Sequence, residues 1–257
     1  MTDPIGKIKK FWDDRALNDD LSEDLLTHRD KNQRMLEIET LSSHLPYNQH
    51  ILDIGCGNGF STALFSKQAQ KIVGLDYSGA MIERAKNNFG HLPNIEFKVQ
   101  DVLNLDFPEC HFDVVISQRC LINLGTWENQ QKALLNIKKV LKPGGFFLLQ
   151  EGTRQGREKL NQTREIFGLD RMPEVSFNLD FDEDKLWPFI RQHFDIVEIR
   201  RFGLYDLISR VVHPLLVSPA KPEYDAEINK IARRLSRLRG MEELSREFSA
   251  FLRRLDE

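Results

Sequence analysis

Nine consecutive residues, Ile51-Leu52-Asp53-Ile54-Gly55-Cys56-Gly57-Asn58-Gly59, constrain this chain more than any other stretch. A short apolar run ends in alternate glycines and leads to Phe60, Leu64 and Phe65 at helical spacing. The pattern predicts a strand, a tight loop and a helix. Glycine lets the chain turn sharply and lets a ligand approach without a Cβ in the way. The helix start beside it leaves N–H groups unpaired. A dinucleotide fingerprint would read G-x-G-x-x-G, whereas this loop reads G-x-G-x-G with an acid before it. A carboxylate at Asp53 would repel a pyrophosphate and suits a cationic or hydroxyl-bearing ligand.

The same alternation continues. Ile72–Leu75 predicts a second strand ending at Asp76, and Met81, Ile82 and Ala85 line a following helix. Ile95, Phe97 and Val99 alternate as a third strand ending at Asp101, and Val114–Ile116 is a fourth. Trp127, Leu134, Ile137 and Leu141 mark a helix that Lys142-Pro143-Gly144-Gly145 stops, before a fifth strand at Phe146–Leu149. Strand alternating with helix predicts a parallel sheet covered on both faces. Asp53, Asp76 and Asp101 then share the sheet edge where open α/β folds bind ligands. A carboxylate at Asp76 can accept two hydrogen bonds from a ribose diol, and Asp101 can meet an adenine amine.

The flanks are looser. Met35, Ile38, Leu41 and Leu45 give one face of a helix before the first strand. Residues 153–168 read as a polar helix, Asp182 caps another through Leu186, Phe189 and Ile190, and Ile196, Val197 and Ile199 form a sixth strand. Residues 204–217 are apolar around Pro214, and 225–239 carry Ile228, Ile231, Leu235 and Leu238 at helical spacing. Phe248–Leu255 fits helix or strand on periodicity alone.

Composition narrows the function classes. Among 257 residues, 36 Lys and Arg against 39 Asp and Glu leave a net charge of -3, without the basic footprint of a nucleic-acid binder. The arginines at 233, 234, 237 and 239 have acids nearby and read as a solvated helix face. Three cysteines, with no CxxC and no HxxxH, point to a reducing compartment and away from structural zinc. The N-terminus is too polar for a secretory signal, and no apolar run approaches a membrane span. The expectation is a cytoplasmic globular protein.

In order and spacing, Ile51–Gly59, Val73–Asp76, Gln100-Asp101-Val102, Phe112–Ser117 and Val140–Gly145 resemble the motif set of class I S-adenosylmethionine-dependent methyltransferases. The resemblance spans roughly residues 48–151. It implies a three-layer, Rossmann-like α/β sandwich. Its seven-stranded, mostly parallel sheet would have an antiparallel last strand inserted beside the fifth, which makes Phe248–Leu255 a strand. The organisation it implies is a helical N-terminal cap at 1–47, a cofactor-binding domain at 48–203 plus 247–257, and a helical lid insertion at 204–246. It implies S-adenosyl-L-methionine as cofactor. Gly55, Cys56 and Gly57 would pass its methionine part and Asp53 would face its amino end. Asp76 would hold the ribose, Tyr77 and Met81 would flank the adenine, and Asp101 and Val102 would meet the adenine edge. Ser117, Gln118 and Arg119 would reach the methionyl group and the acceptor, although many relatives have Asn or Asp at position 118.

Methyl transfer from a sulfonium needs alignment and exclusion of water, and needs a base only if the nucleophile must lose a proton. Glu151 and His28 are the candidate bases. Arg119, Arg154, Tyr205 and His213 are candidate acceptor contacts, with Arg157 in the same cluster, and Trp12 and Arg15 belong to a segment that folds over the cofactor in many relatives. The expected reaction is O- or N-methylation of a small molecule, a sugar or glycan precursor being one such acceptor. No nucleic-acid or membrane partner is expected, and the chain would act as a monomer or homodimer. A nicotinamide-dependent oxidoreductase would need the G-x-G-x-x-G loop that this chain lacks. A non-catalytic protein that binds the cofactor and regulates is the other alternative.

Overall fold

The computed structural model describes residues 4–18 and 22–256. Residues 1–3, 19–21 and 257, which fall in the cap and closing segments expected above, lie outside the described residues. Seven strands form one sheet: β1 Gln49–Ile54, β2 Ala69–Asp76, β3 Ile95–Val99, β4 Phe112–Gln118, β5 Leu141–Gly152, β6 Phe194–Arg201 and β7 Glu247–Arg254. Their order is β3-β2-β1-β4-β5-β7-β6. β7 runs antiparallel to both β5 and β6, and the other pairs are parallel. The ambiguous C-terminal segment is therefore a strand beside the fifth. Paired on both edges and packed on both faces, it is apolar at consecutive positions, which is why its periodicity did not discriminate.

Helices α1 Pro4–Ala16 and α2 Lys31–Ser43 precede β1, and α3 Phe60–Phe65, α4 Gly79–Phe89 and α5 Trp127–Val140 cross between the parallel strands. α6 Arg154–Ile166 and α7 Glu183–Arg191 join β5 to β6. Between β6 and β7 lie α8 Gly203–Leu207, a π-helical turn Ile208–Val212, α9 His213–Val217 and α10 Glu227–Leu235. The caps follow from side-chain chemistry: Asp30 accepts the Gln33 N–H, Ser78 the Met81 N–H and Asp182 the Asp184 N–H at the starts of α2, α4 and α7.

Alternation along β1 divides the core. Leu52 and Ile54 pack with Val115, Phe147 and Leu149 on the α5 and α7 side, while Ile51 packs with Val114, Ile116, Leu148, Ile38 and Leu41 on the α2 side. One expectation needs correction. Lys142–Gly145 ends α5 at Val140 but belongs to β5, where pairing to β4 jumps from Phe112↔Leu141 to Val114↔Phe146. The proline and glycines thus make a bulge at the strand start as well as a helix stop.

Candidate active site

A cavity of about 690 Å³ opens at the C-terminal ends of β1, β2 and β4. That size lies within the roughly 300–1,000 Å³ usual for small-ligand sites. α1, the start of α2 and the stretch from Met172 to Asn178 wall it from above. Phe11 and Trp12 of α1 meet Phe177 of that stretch, with the Phe11 and Phe177 rings 4.7 Å apart.

One end is built on the glycine loop. Gly55 and Gly57 take φ of 70° and 54°, and a Cβ on Gly55 would lie 2.5 Å from Cys120 Cβ and Sγ. Both the conformation and the close approach demand glycine. Asp76 accepts the Gly57 N–H at 3.0 Å and the Ser78 N–H at 2.9 Å, so the tip of β2 holds the loop in place. Asp53 accepts a bond from the Thr62 hydroxyl at 2.6 Å. Burial pushes Asp53 up to about 7, against the Thr62 bond and helped by Asp76. Burial likewise pushes Asp76 up to about 6, against its two backbone donors. Two destabilised carboxylates beside bare backbone are a place for a cation. Asp101 accepts the Leu103 N–H at 2.8 Å, and Asp101, Val102, Tyr77 and Met81 complete this end. Trp12 packs against Met81 and Leu26, and Asp13 of α1 accepts a bond from Ser78.

The other end carries arginines. Arg119 stands in the left-handed region at φ 56°, its N–H donating to Gln150 O at 2.8 Å and its guanidinium to Glu247. A bulky residue there stores strain that the surrounding bonds must hold. Arg210 donates to Asp30 and to Gln33 Oε1, and Arg246 donates to Asp206 at 2.9 Å and to Gln33 Oε1 at 2.7 Å. Asp30 also accepts the Tyr205 hydroxyl with both oxygens. Glu37 lies behind this wall and accepts a bond from Gln118 at 2.9 Å. Burial, reinforced by Glu247, holds Glu37 well above the usual carboxylate range. Burial opposes ionisation of Glu247 as well, but Arg119, a bond from Glu37 and Arg246 outweigh it and hold it well below that range.

Arg34 differs from its neighbours. It is buried and lines the cavity, and it donates to Glu23 O and Asp24 O with its guanidinium 4.3 Å from the Phe60 ring. Among the described residues no carboxylate lies within ion-pair distance of it. Burial lowers it to about 10, partly offset by Glu37, Asp24 and Glu23. An incompletely neutralised buried cation beside the glycine loop invites an anionic group from a ligand.

Most of the sequence candidates meet here: Asp53, Gly55, Cys56, Gly57, Asp76, Tyr77, Met81, Asp101, Val102, Gln118, Arg119 and His28 all line the cavity. Trp12, Arg15 and Arg157 do too. Five candidates do not. Glu151 is fully buried behind the wall, accepting the Cys120 and Leu121 N–H groups at 3.0 and 2.7 Å, so it braces the turn after β4. Burial pushes it up to about 8 despite those donors. Ser117 points to Glu151 at 3.4 Å. Arg154 turns outward to Asp182. Tyr205 is buried on Asp30, and His213 is buried away from the cavity. The segment between β6 and β7 reaches the cavity through Arg210 and Tyr224 instead.

The residues fit S-adenosylmethionine. Carboxylates at Asp53 and Asp76 suit its cationic groups and diol, and the Arg34 guanidinium suits its carboxylate. Residues 51–145 match the family described as "Methyltransferase domain". The chain is 26% identical over 216 residues to the ubiquinone/menaquinone biosynthesis C-methyltransferase UbiE of Hydrogenovibrio crunogenus, covering 79% of this chain and 82% of that one. It is 32% identical over 155 residues to malonyl-[acyl-carrier protein] O-methyltransferase 1 of Ilyobacter polytropus, about half of each chain at 55%. The N-methyltransferase NodS of Bradyrhizobium japonicum, solved with S-adenosylhomocysteine, superposes with a TM-score of 0.61 at 16% identity, covering 97% of this chain and 99% of NodS. Phosphoethanolamine N-methyltransferase 1 of Haemonchus contortus does so at 0.65 and 16%, covering all of this chain and 50% of that one. With their glycine loop and strand-tip acids, residues 51–145 form a methyltransferase domain, and the seven-stranded sheet around them has the fold of the class I S-adenosylmethionine-dependent methyltransferases.

Proposed function

We propose that the chain transfers a methyl group to a small-molecule acceptor held in the arginine-lined end of its cavity. The observation that carries this reading is continuity: one cavity joins the Asp76 end to Arg119, Arg210 and Arg246. When bound, S-adenosylmethionine supplies a methyl group on a sulfonium, and the bonding pair stays on sulfur as the acceptor takes the methyl. The chain's residues position both partners and exclude water, which is the main work such a displacement requires. Asp76 and Asp53 hold the cationic and hydroxyl-bearing parts, and Arg34 takes the carboxylate. α1 and the Met172–Asn178 stretch cover one side of the cavity, which favours a metabolite over a polymer. The relatives' names include C- and O-methylation, so the expected O or N target widens to carbon.

Transfer of radiolabelled methyl to a fractionated cell extract tests this. Label is expected in acceptors of metabolite size. Label confined to protein or nucleic acid would contradict it.

A further inference from the structure

We propose that the acceptor carries a phosphate group, and that Arg15 and Arg29 bind it at the exposed rim of the cavity. This rests on the methyl-transfer reading of the cavity and names the acceptor's chemical class.

The two guanidinium groups come from different elements. Arg15 lies in the last turn of α1, and Arg29 immediately precedes Asp30, the cap of α2. Both line the cavity, Arg15 half-buried and Arg29 exposed, so a ligand entering from solvent meets them. The chain between them is anchored. Arg15 Nε donates to Leu26 O, and the Thr27 methyl lies 3.0 Å from where a Cβ on Gly57 would stand. The rim is thus tied to the glycine loop.

Neither cation has a carboxylate within ion-pair distance among the described residues. The acids on the neighbouring elements are committed elsewhere. Asp13 pairs with Lys9 and accepts a bond from Ser78, Asp14 pairs with Lys10, Glu23 with Arg84 and Asp24 with Lys31. Asp30 accepts from Tyr205, Arg210 and the Gln33 N–H. Glu174, exposed on the Met172–Asn178 stretch, pairs with neither arginine. The charge that Arg15 feels is of its own sign: burial first, then Arg29, lower it from the usual guanidinium value. Donors are left over as well. Arg15 spends Nε and Nη2 on the carbonyls of Leu26 and Leu25, and its Nη1 and the whole Arg29 fork make no bond among the described residues.

The size of the missing charge selects the ligand. On the reading above, Arg34 takes the cofactor's one carboxylate, which leaves this pair for the acceptor. A phosphate monoester carries about −1.5 to −2 at neutral pH and presents three acceptor oxygens, enough for two guanidinium forks. A carboxylate brings a single charge and leaves one of the two cations uncompensated.

Ligand-observed NMR on the protein saturated with S-adenosylhomocysteine tests this with phenyl phosphate, benzoate and benzyl alcohol. Phenyl phosphate should bind at least about tenfold tighter than either analogue. Arg15→Gln and Arg29→Gln should each erase most of that preference and leave S-adenosylhomocysteine affinity within about twofold. Arg29→Lys, which keeps the charge and loses the planar fork, should fall between Arg29→Gln and the wild type. Phenyl phosphate affinity should rise between about pH 5 and 7 as the ligand's second proton leaves, and the rise should vanish when both arginines are glutamine. Binding of phenyl phosphate no tighter than benzoate, binding of none of the three, or a preference that survives both substitutions overturns the inference. So does an Arg29→Gln protein that binds S-adenosylhomocysteine about tenfold more weakly, because the pair would then serve the cofactor's carboxylate. Failure of the wild type to take up S-adenosylhomocysteine is a separate result: it overturns the methyl-transfer reading itself, and this inference with it.

Discussion

At one end of the cavity, carboxylates at strand tips face a loop of bare backbone. At the other, guanidinium groups face inward and the carboxylates stand behind them. The first end draws nearly all its residues from short runs, 53–57, 76–81 and 100–102. The second gathers His28, Arg119, Arg157, Arg210 and Arg246 from segments far apart in sequence. The contrast teaches how each end is held. The cofactor end is fixed by backbone conformation, with Asp76 locking Gly57. The end proposed for the acceptor is fixed by a buried polar network in which each charge depends on a partner from another element.

Substitutions should separate these two modes. The largest effect belongs to the network. Arg246→Met removes the guanidinium from buried Asp206 and leaves it only the backbone N–H of residue 246, and should cost about 3–5 kcal/mol in urea unfolding. Adding Asp206→Leu should recover much of that. A single-variant loss near zero would mean that the acceptor end is not held by this pair. At the cofactor end, Gly55→Ala meets both a positive φ and the Cys120 side chain, and should cost roughly 2 kcal/mol together with measurable cofactor affinity.

Acidification sharpens the contrast further. With Asp53 at about 7 and Asp76 at about 6 in the ligand-free protein, both are increasingly protonated as pH falls. A cation binds best when both are ionised, so S-adenosylmethionine affinity should fall by up to about tenfold per pH unit per group below these values. The linkage to folding has the opposite direction. A carboxylate raised in the folded state binds more protons there than when unfolded, so these two groups make the ligand-free protein less stable as pH rises from about 4 to 7. Thermal unfolding across that range, with and without S-adenosylmethionine, reads both signs. The smallest effect belongs to the closure. Phe177→Ala removes ring contacts with Phe11 and Trp12 worth about 0.5–1.5 kcal/mol, and should raise the cofactor's dissociation rate with little change in melting temperature.

The cofactor end was legible because local rules govern it: apolar runs give strands, glycines give the turn, and an acid after each strand falls on one edge. The sheet order and the closing strand needed the family resemblance, since β7 is buried on both faces and has no period of its own. The acceptor end misled sequence reading for a physical reason. α2 buries Leu36, Ile38 and Leu41, but Asn32, Gln33, Arg34 and Glu37 are buried as well. Periodicity assigns a polar helix face to water, and here that face looks into a cavity and its supporting network. Arg34 escapes sequence reading on that account, and Arg210 and Arg246 do so because they reach the cavity from the distant segment between β6 and β7. Glu151 was mistaken for a base because its position past a strand end does not show that its carboxylate turns back to cap the Cys120 and Leu121 N–H groups.

Calorimetric titration of the wild-type protein and Asp76→Ala with S-adenosylmethionine and S-adenosylhomocysteine, with NADH as control, tests the central claim most directly. Both cofactor forms should bind the wild type, NADH should not, and Asp76→Ala should weaken binding at least about tenfold, or roughly 1.4 kcal/mol. Absence of binding, or binding indifferent to Asp76, would contradict the assignment of this cavity to the cofactor.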